Sequence, residues 1–333
     1  MDTNLDQPVV SIIIPVYNNQ DFISEAIDSV LIQTYSKWDL VIIDDGSTDN
    51  TKQIVFKYST NDSRIRYYYQ QNKGQAAARN IGISNSKGKF IAFLDADDVW
   101  IKDKIEVQLK TLVKFNADLV FSNAGYFSDS NKVTINQLSQ KGALDERGLF
   151  KDLFQRSSIA NSSVLLKRDI LSTVGLFDES PELRGTEDWD LWLRIAQNNY
   201  KFYGIERILI KYRIHDGGTH MNKIKMFHGK LAIQDKYRFS REVPRWIKLK
   251  QYRYVFRELI NYIYKEENEQ KKIAELLTKF IERDNKGLCT KIQFALHKRV
   301  SSKNFFFLSN AVLYRIFYRL ENLTYVFLSL VSN

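Results

Sequence analysis

Three carboxylates follow a short apolar stretch in the first third of the chain. Residues 90–94 read FIAFL without polar alternation, which is typical of a strand covered on both faces of a sheet. Asp95, Asp97 and Asp98 come directly after it, where open α/β sheets bind ligands. Asp95 and Asp97 flank the small residue Ala96, so their oxygens can converge on one hard divalent cation. Mg²⁺ or Mn²⁺ suits such ligands, and a cation of this kind usually also binds phosphate oxygens.

A turn or a helix cap is the alternative explanation for these aspartates, because Asp is common in both. Asp98 fits this alternative best, since a helix-like pattern follows it at residues 102–115. The flanking chain favours a cation for Asp95 and Asp97, because other predicted strands also end in polar clusters.

Polar residues end the second predicted strand as well. Residues 9–16, VVSIIIPV, predict a buried first strand, and a helix-period stretch follows it. A second strand at residues 40–43 then runs into Asp44 and Asp45. Strand, helix and strand in this order predict a right-handed crossover and a parallel sheet. Strand alternation turns Asp44 away from the side of Asp45, so Asp45 is the better ligand candidate.

A third strand leads into a loop and a helix that carry two further candidates. The strand is predicted at residues 65–69, and the sequence QNKGQAAARN follows it. Gly74 gives this loop a flexible entry, and the alanine run after it favours a helix. Arg79 lies one turn into that helix, where the alternative is an exposed surface arginine. We expect all these strand ends to face one crevice.

A second acidic site is predicted near the start of a later helix. In RGTEDWDLWLRIAQ, Trp189 and Trp192 fall at helical spacing and predict a face against the core. Glu187 and Asp188 lie in the first turn, where the helix dipole favours carboxylates, so capping is the alternative to catalysis. A strand at residues 207–214 then ends beside a lone histidine.

Length and charge bound the organisation of the chain. Its 333 residues suffice for one large domain with an appendage, or for two domains. Cys289 is the single cysteine, so we expect a reducing cytosol and no disulfide framework. The first residues lack an apolar segment, so we expect no signal peptide. Residues 1–221 hold 26 Lys and Arg against 29 Asp and Glu, whereas residues 222–333 hold 23 against 10.

This change from a net charge of −3 to one of +13 predicts two parts with different tasks. Residues 222–333 combine basic charge with aromatic, helix-period sequence, which suits an anionic bilayer surface. Arg315, Arg319 and Glu321 interrupt their apolar tail, so no uncharged run approaches the roughly 20 residues of a spanning helix. We expect a helical appendage on the inner membrane face. Packing against the rest of the chain, or a homodimer interface, is the alternative.

Five blocks within residues 8–220 resemble the family 2 glycosyltransferases of GT-A fold that build bacterial polysaccharides and glycolipids. The blocks are SIIIPVYNNQDFISEAIDSVLIQTYSKWDLVIIDDGSTDNT, NKGQAAARNIGI, FIAFLDADDVW, VGLFDES with RGTEDWDLWLRIA, and YRIHDGG. The resemblance implies an α/β catalytic domain over residues 1–221. That domain would have a Rossmann-like, mixed, mostly parallel sheet flanked by helices, and the basic helical region over residues 222–333 would follow it.

The resemblance also implies a nucleotide-diphosphate sugar donor, with UDP as the favoured nucleotide. Asp45 would accept a hydrogen bond from the base, and Arg79 would contact the nucleotide or its diphosphate. Asp95 would reach the ribose or the cation. The residues implied to bind the nucleotide are Pro15, Val16, Tyr17, Asp45, Asn72, Gly74, Arg79, Asp95 and Ala96.

The implied chemistry is an inverting transfer of the sugar to an acceptor hydroxyl. Asp97 would hold Mg²⁺ or Mn²⁺, with Asp95 and His215 beside it, because a cation neutralises the departing diphosphate. Asp188 would be the general base that takes the proton of the acceptor, with Glu187 next to it. One base and direct attack invert the anomeric carbon without a covalent intermediate. His215 has a structural role as its alternative.

Two other classes of function compete with this one. A nucleotidyltransferase typically needs a Gly-rich, basic loop after its first strand, and PVYNNQDF has neither Gly nor Lys. An inactive binding module is disfavoured because Asp97 and Asp188 are both present. Nucleic acid is not an expected partner, since only the charge of the last part supports it. We expect a cytoplasmic enzyme, peripheral at the membrane, that uses a glycan or lipid-linked acceptor.

Overall fold

The computed structural model describes the larger part of the chain. The described residues are 10–128, 134–136, 141–144, 146–218, 223–237, 239–241, 243–244, 246–248, 250–251 and 254. The strands are β1 (Val10–Val16), β2 (Trp38–Asp44), β3 (Ile65–Tyr69), β4 (Phe90–Phe93), β5 (Val99–Trp100), β6 (Leu119–Phe127), β7 (Thr134–Asn136), β8 (Gly142–Ala143), β9 (Leu165–Lys167) and β10 (Phe202–Arg213). The helices are α1 (Ile23–Leu31), α2 (Thr51–Asn61), α3 (Gln75–Ser84), α4 (Lys104–Lys114), α5 (Glu146–Gln155), α6 (Ile170–Val174), α7 (Glu187–Gln197) and α8 (Lys223–Lys236).

Ten strands of the described part form one mixed sheet in the order β3-β2-β1-β4-β9-β6-β10-β5, with β7 on β6 and β8 on β10. The longer pairings are parallel and join β1 to β2 and β4, β2 to β3, and β6 to β10. The antiparallel pairings span only two or three residues each. The carboxyl ends of β1 to β4 therefore meet at one edge, as expected for ligand binding.

Helices cover both faces of this sheet because the central strands are apolar on both sides. In β1, Ile12 and Ile14 join the core beneath α1, α2 and α4, whereas Ile13 joins the core beneath α5, α6 and α7. This division follows from the two-residue period of a strand. Helix α3 lies on the second face, where a Cβ at Gly82 would lie only 2.5 Å from Ile13.

The predicted fold class is confirmed: the sheet is mixed, mostly parallel and flanked by helices. Strand bounds differ from prediction in the second half. Strand β10, predicted over residues 207–214, begins at Phe202 and pairs in parallel with β6 as far as Phe127. Helix α6 has only five residues, since Gly175 follows it with a φ of +81°.

The predicted C-terminal appendage is described only at its beginning. Helix α8 packs through Ile233 on the core beneath α5, α6 and α7, and Tyr237, Val243 and Ile247 extend that contact. Residues 255–333 lie outside the described part of the chain, and with them most of the predicted membrane or homodimer surface. None of the described helices has both the length and the apolarity needed to cross a bilayer.

Candidate active site

The loops after β1 and β2 interlock at the carboxyl edge of the sheet. The Asn18 N–H donates to Ser47 Oγ at 2.9 Å, and the Thr48 N–H donates to Asn18 Oδ1 at 2.7 Å. Pro15 and Val16 end β1 as buried residues. Tyr17 projects beyond them with 49% of its surface exposed, which leaves its ring available to a flat ligand.

Asp45 organises the loop that enters α3. Its Oδ1 accepts hydrogen bonds from Gln70 Nε2 at 2.6 Å and from the Lys73 N–H at 2.8 Å. Its Oδ2 accepts from the Gly74 N–H at 2.8 Å. Gly74 has a φ of +99°, a conformation that favours glycine. The carboxylate predicted to bind the base thus also holds the Lys73–Gly74 backbone, while Asn72 remains exposed beside it.

Arg79 joins the two acidic sites that the sequence analysis treated separately. Its Nη2 donates to Asp95 Oδ1 at 2.8 Å, and its Nη1 donates to Glu187 Oε1 at 2.7 Å. The side chain is 3% exposed. Burial opposes its charge, but the Asp95 and Glu187 carboxylates hold the pKa of Arg79 above its ordinary value. It is therefore a permanent buried cation between β4 and α7.

Asp97 and His215 are in direct contact beside this ion pair. Asp97 Oδ2 lies 3.0 Å from His215 Nε2, and the His215 ring packs edge-on against Phe22 with centroids 4.7 Å apart. Burial and the nearby Asp95 carboxylate raise the pKa of Asp97, and the His215 hydrogen bond opposes that rise. Ala96 is buried between the two aspartates.

The metal-ligand candidates of this site fit a cation that takes its remaining ligands from a bound diphosphate and from water. In the described residues no three His, Cys, Asp or Glu side chains converge as a complete metal cage. Asp97 and His215 supply an oxygen and a nitrogen at one point, while Asp95 Oδ1 is engaged by Arg79 and by Asn161 Nδ2. Mg²⁺ sites commonly use one or two carboxylates and take their remaining ligands from phosphate and water.

Asp98 has a structural role in this loop. Its Oδ2 accepts from Ser162 Oγ at 2.6 Å, and its Oδ1 accepts from the Arg213 N–H at 3.0 Å. Burial and the neighbouring aspartates raise its pKa well above the ordinary value. Trp100, buried behind the same loop, donates to the Ser162 carbonyl at 2.9 Å. This agrees with the alternative that Asp98 stabilises the turn.

Three contributors to the site were missed by the sequence analysis. Asn161 and Ser162 contact Asp95, and Arg213 Nε donates to the Asp97 carbonyl at 3.0 Å. Arg213 is also packed between the rings of Phe22 and Phe127. Arg213 ends β10, and its position two residues before His215 in the sequence was the available signal.

Asp188 has the electrostatic properties of a general base. It lies in the first turn of α7, and its carboxylate accepts from the Trp189 N–H at 2.7 Å. Burial and the adjacent Glu187 raise the pKa of Asp188 to about 7, although Arg79 opposes the shift. A base whose pKa lies near the working pH combines ionisation with proton affinity. Trp189 is buried behind it, as predicted.

Solved structures with the same architecture define the class of the fold. The chain is similar to S. aureus TarS 1-349 in complex with UDP-GlcNAc, with a TM-score of 0.60 and 17% identity over 82% of this chain and 80% of that one. It is also similar to the mannosyltransferase PcManGT from Pyrobaculum calidifontis in complex with GDP-Man and Mn²⁺, with a TM-score of 0.56 and 18% identity over 96% and 88%. The fold is that of the GT-A glycosyltransferases.

Sequence relatives give the family. Residues 11–175 match the family described as Glycosyl transferase family 2. The Escherichia coli protein UDP-Glc:alpha-D-GlcNAc-diphosphoundecaprenol beta-1,3-glucosyltransferase WfgD is 35% identical over 66% of this chain and 83% of its own length. An uncharacterized glycosyltransferase of Rickettsia felis is 43% identical over 63% of this chain. The matched part covers about a third (33%) of the length of that relative. The chain belongs to glycosyl transferase family 2.

The raised pKa of Asp188 should make the free energy of unfolding depend on pH. A carboxyl whose pKa rises from 3.8 to about 7 on folding favours the protonated form in the folded state. Ionised Asp188 therefore lowers stability above pH 7, by about 2 kcal/mol once partial solvent exposure is considered. Asp188→Asn should raise the free energy of unfolding in urea at pH 8 by this amount, and the gain should vanish by about pH 4.

The exposed carboxylate Glu182, in the turn before α7, provides the control. Glu182→Gln should leave the unfolding free energy unchanged at both pH values. A loss of stability in Asp188→Asn at pH 8 would instead support a capping role for this side chain.

Proposed function

We propose that the protein transfers a sugar from a nucleotide-diphosphate sugar, with a UDP-sugar as the favoured donor, to an acceptor hydroxyl with inversion. One observation carries the proposal: Arg79 ties the Asp95 strand end to Glu187, which is adjacent to the candidate base Asp188. The strand end proposed to bind the donor and the helix proposed to carry the base are thereby held side by side, as the reaction requires.

The donor is proposed to bind at the carboxyl edge of β1 to β4. The exposed Tyr17 ring would stack on the base, and Asp45 Oδ2, which accepts one hydrogen bond within the chain, would accept a second from the base N–H. Asn72, Gly74 and Arg79 would contact ribose or diphosphate. The UDP-GlcNAc bound in the TarS structure, and the UDP-Glc in the name of WfgD, support a uridine nucleotide.

A divalent cation is proposed to bind with the diphosphate at Asp97, with Asp95 and His215 beside it. When bound, the cation supplies positive charge that stabilises the departing diphosphate oxygens. The Mn²⁺ of the PcManGT complex supports a metal in this fold. In this chain Arg213 and Ser162 hold the loop that presents Asp97, through the Asp97 carbonyl and Asp98.

Asp188 is proposed to take the proton of the acceptor hydroxyl. As the acceptor oxygen bonds to the anomeric carbon, the bond from that carbon to the diphosphate oxygen breaks, and the proton moves to the Asp188 carboxylate. Glu187 remains paired with Arg79 and acts by orienting the start of α7. Direct attack from the face opposite the diphosphate inverts the sugar.

Asp188→Asn tests the proposed base, because it keeps the shape of the side chain and removes its proton affinity. Transfer should fall by about 10²–10⁴-fold, the usual contribution of a general base. UDP affinity, measured by calorimetry, should change less than about twofold because the base acts on the acceptor. The assay uses a panel of UDP- and GDP-sugars with lipid-linked diphosphate acceptors and separates the products by mass.

Glu182→Gln should transfer at the wild-type rate in the same assay. Wild-type protein that transfers no sugar from any donor of the panel would contradict the proposed function. Transfer by Asp188→Asn at more than a tenth of the wild-type rate would contradict the assigned base alone.

Asp97→Asn tests the cation site. Mn²⁺ binding, measured by electron paramagnetic resonance in the presence of UDP, should be lost together with transfer. EDTA should reduce the wild-type enzyme to the same residual rate. Asp152→Asn, on the exposed side of α5, is the matched control and should bind Mn²⁺ normally. Full transfer in EDTA would remove the cation from the mechanism.

We also propose that the protein works at the inner face of a membrane on a lipid-linked acceptor, in the synthesis of a surface polysaccharide or glycolipid. The charge of +13 in residues 222–333 and the diphosphoundecaprenol in the name of WfgD support this. The full chain should float with anionic vesicles in a density gradient, less so at high salt, and a chain ending near residue 222 should not. If both remain unbound, the basic region serves another contact.

A further inference from the structure

Helix α8 approaches the start of the catalytic helix α7 unusually closely. A Cβ at Gly229 would lie 2.5 Å from Thr186 Oγ1 and 2.6 Å from Thr186 Cγ2. Thr186 directly precedes Glu187 and Asp188, and its carbonyl accepts the Asp190 N–H at 3.1 Å. Glycine is a poor helix former, so its presence within α8 is explained by this approach. The backbone of α8 thus lies against the turn that presents the base.

The C-terminal end of α8 holds α7 through a buried carboxylate. Asp190 is fully buried, two residues after Asp188. It accepts a hydrogen bond from Tyr237 Oη at 2.9 Å and pairs with Lys236 Nζ at 2.8 Å and Arg194 Nε at 2.8 Å. Burial and the Asp190 carboxylate raise the pKa of Tyr237, so its hydroxyl stays a donor.

Lys236 extends this contact to the segment before α7. Its Nζ also pairs with Asp178 at 2.6 Å. Burial opposes ionisation of Asp178, but the hydrogen bonds from Lys236 and Ser180 lower the pKa of that carboxyl to about 2. Ile233, between Gly229 and Lys236, shares a core with Leu183 and Trp189. The approach of α8 to α7 is therefore fixed at the middle of α8 and at its C-terminal end.

We propose that α8 is a positioning element for the transfer reaction, which sets the place of Asp188 and of the Arg79-bound Glu187 by fixing the first turns of α7. This inference rests on the proposed function of Asp188. It assigns the first helix of the basic C-terminal region to the catalytic unit, whose functional boundary then lies beyond residue 237 rather than at residue 221. None of the α8 residues contacts the reacting atoms in this scheme.

Gly229→Ala is the direct test, because the added methyl group must displace Thr186. A displacement of about 1 Å at a catalytic group can cost about a hundredfold in rate. We expect kcat, expressed per UDP-binding site, to fall about 10- to 100-fold. The donor KM and the UDP dissociation constant should change less than about twofold, because β1 to β4 bind the donor. Normalising to UDP sites removes any effect of unfolded protein.

Thr186→Ala supplies a rescue that a general loss of stability would not show. It removes Oγ1 and Cγ2, so the nearest Thr186 atom to the new methyl group becomes Cβ at 3.1 Å. The double variant Gly229→Ala with Thr186→Ala should recover kcat to within about threefold of Thr186→Ala alone. Lys236→Met should also lower kcat at unchanged UDP affinity. Lys110→Met, which removes an exposed ion pair on α4, should not.

Unchanged kcat in Gly229→Ala, or a loss of kcat that Thr186→Ala fails to restore, would overturn the positioning role. So would a defect that appears in UDP affinity as strongly as in kcat. These outcomes leave the proposed function intact, since the wild-type enzyme still transfers sugar. Wild-type protein without transferase activity would overturn both.

Discussion

One buried guanidinium is the interaction on which the rest of the site depends. Arg79 lies on α3 and bonds to Asp95 at the end of β4 and to Glu187 at the start of α7. Removing one partner of a buried ion pair typically costs several kcal/mol, because the other charge stays buried and unpaired. Here a single cation compensates two carboxylates. The donor-binding edge of the sheet and the helix that carries the candidate base are therefore held together as one unit.

The site concentrates negative charge beyond what Arg79 compensates. Burial raises the pKa of Asp97, Asp98 and Asp188, and nearby carboxylates add to each rise: Asp95 beside Asp97 and Asp98, and Glu187 beside Asp188. Such an arrangement costs the folded protein stability, and functional sites commonly carry that cost. The proposed cation would offset this charge at Asp97, and the raised pKa of Asp188 suits it to accept a proton near neutral pH. The side chains that hold the loop of Asp97 and Asp98 are neutral or basic, namely Ser162 and Arg213.

Patterns local in sequence predicted most of the fold and the acidic parts of the site. The apolar runs that end near Asp45 and Asp95 predicted the parallel sheet and its ligand-facing edge. Both the apolar run and the polar residues after it can be recognised within a short stretch of sequence. The start of β10 was missed, since Gly204 and Glu206 interrupt its apolar pattern.

Local sequence patterns did not predict the contacts between residues that lie far apart in the chain. Arg79 and Glu187 are 108 positions apart, and neither sequence context indicates the other as a partner. The same applies to Gly229 and Thr186, whose contact depends on how two helices cross. Charge composition drew a boundary at residue 221, but α8 beyond it shares a core with α7. Charged residues lie mostly at the surface, so their distribution along the chain does not indicate which helix completes a core.

The central claim is that one carboxylate, Asp188, serves a direct displacement in a crevice assembled by Arg79. The anomeric configuration of the first product tests this most directly, since a single displacement inverts the anomeric carbon and a double displacement retains it. Proton NMR of the product formed from a nucleotide sugar of known configuration measures it. The account predicts a product of inverted configuration; retained configuration would contradict it.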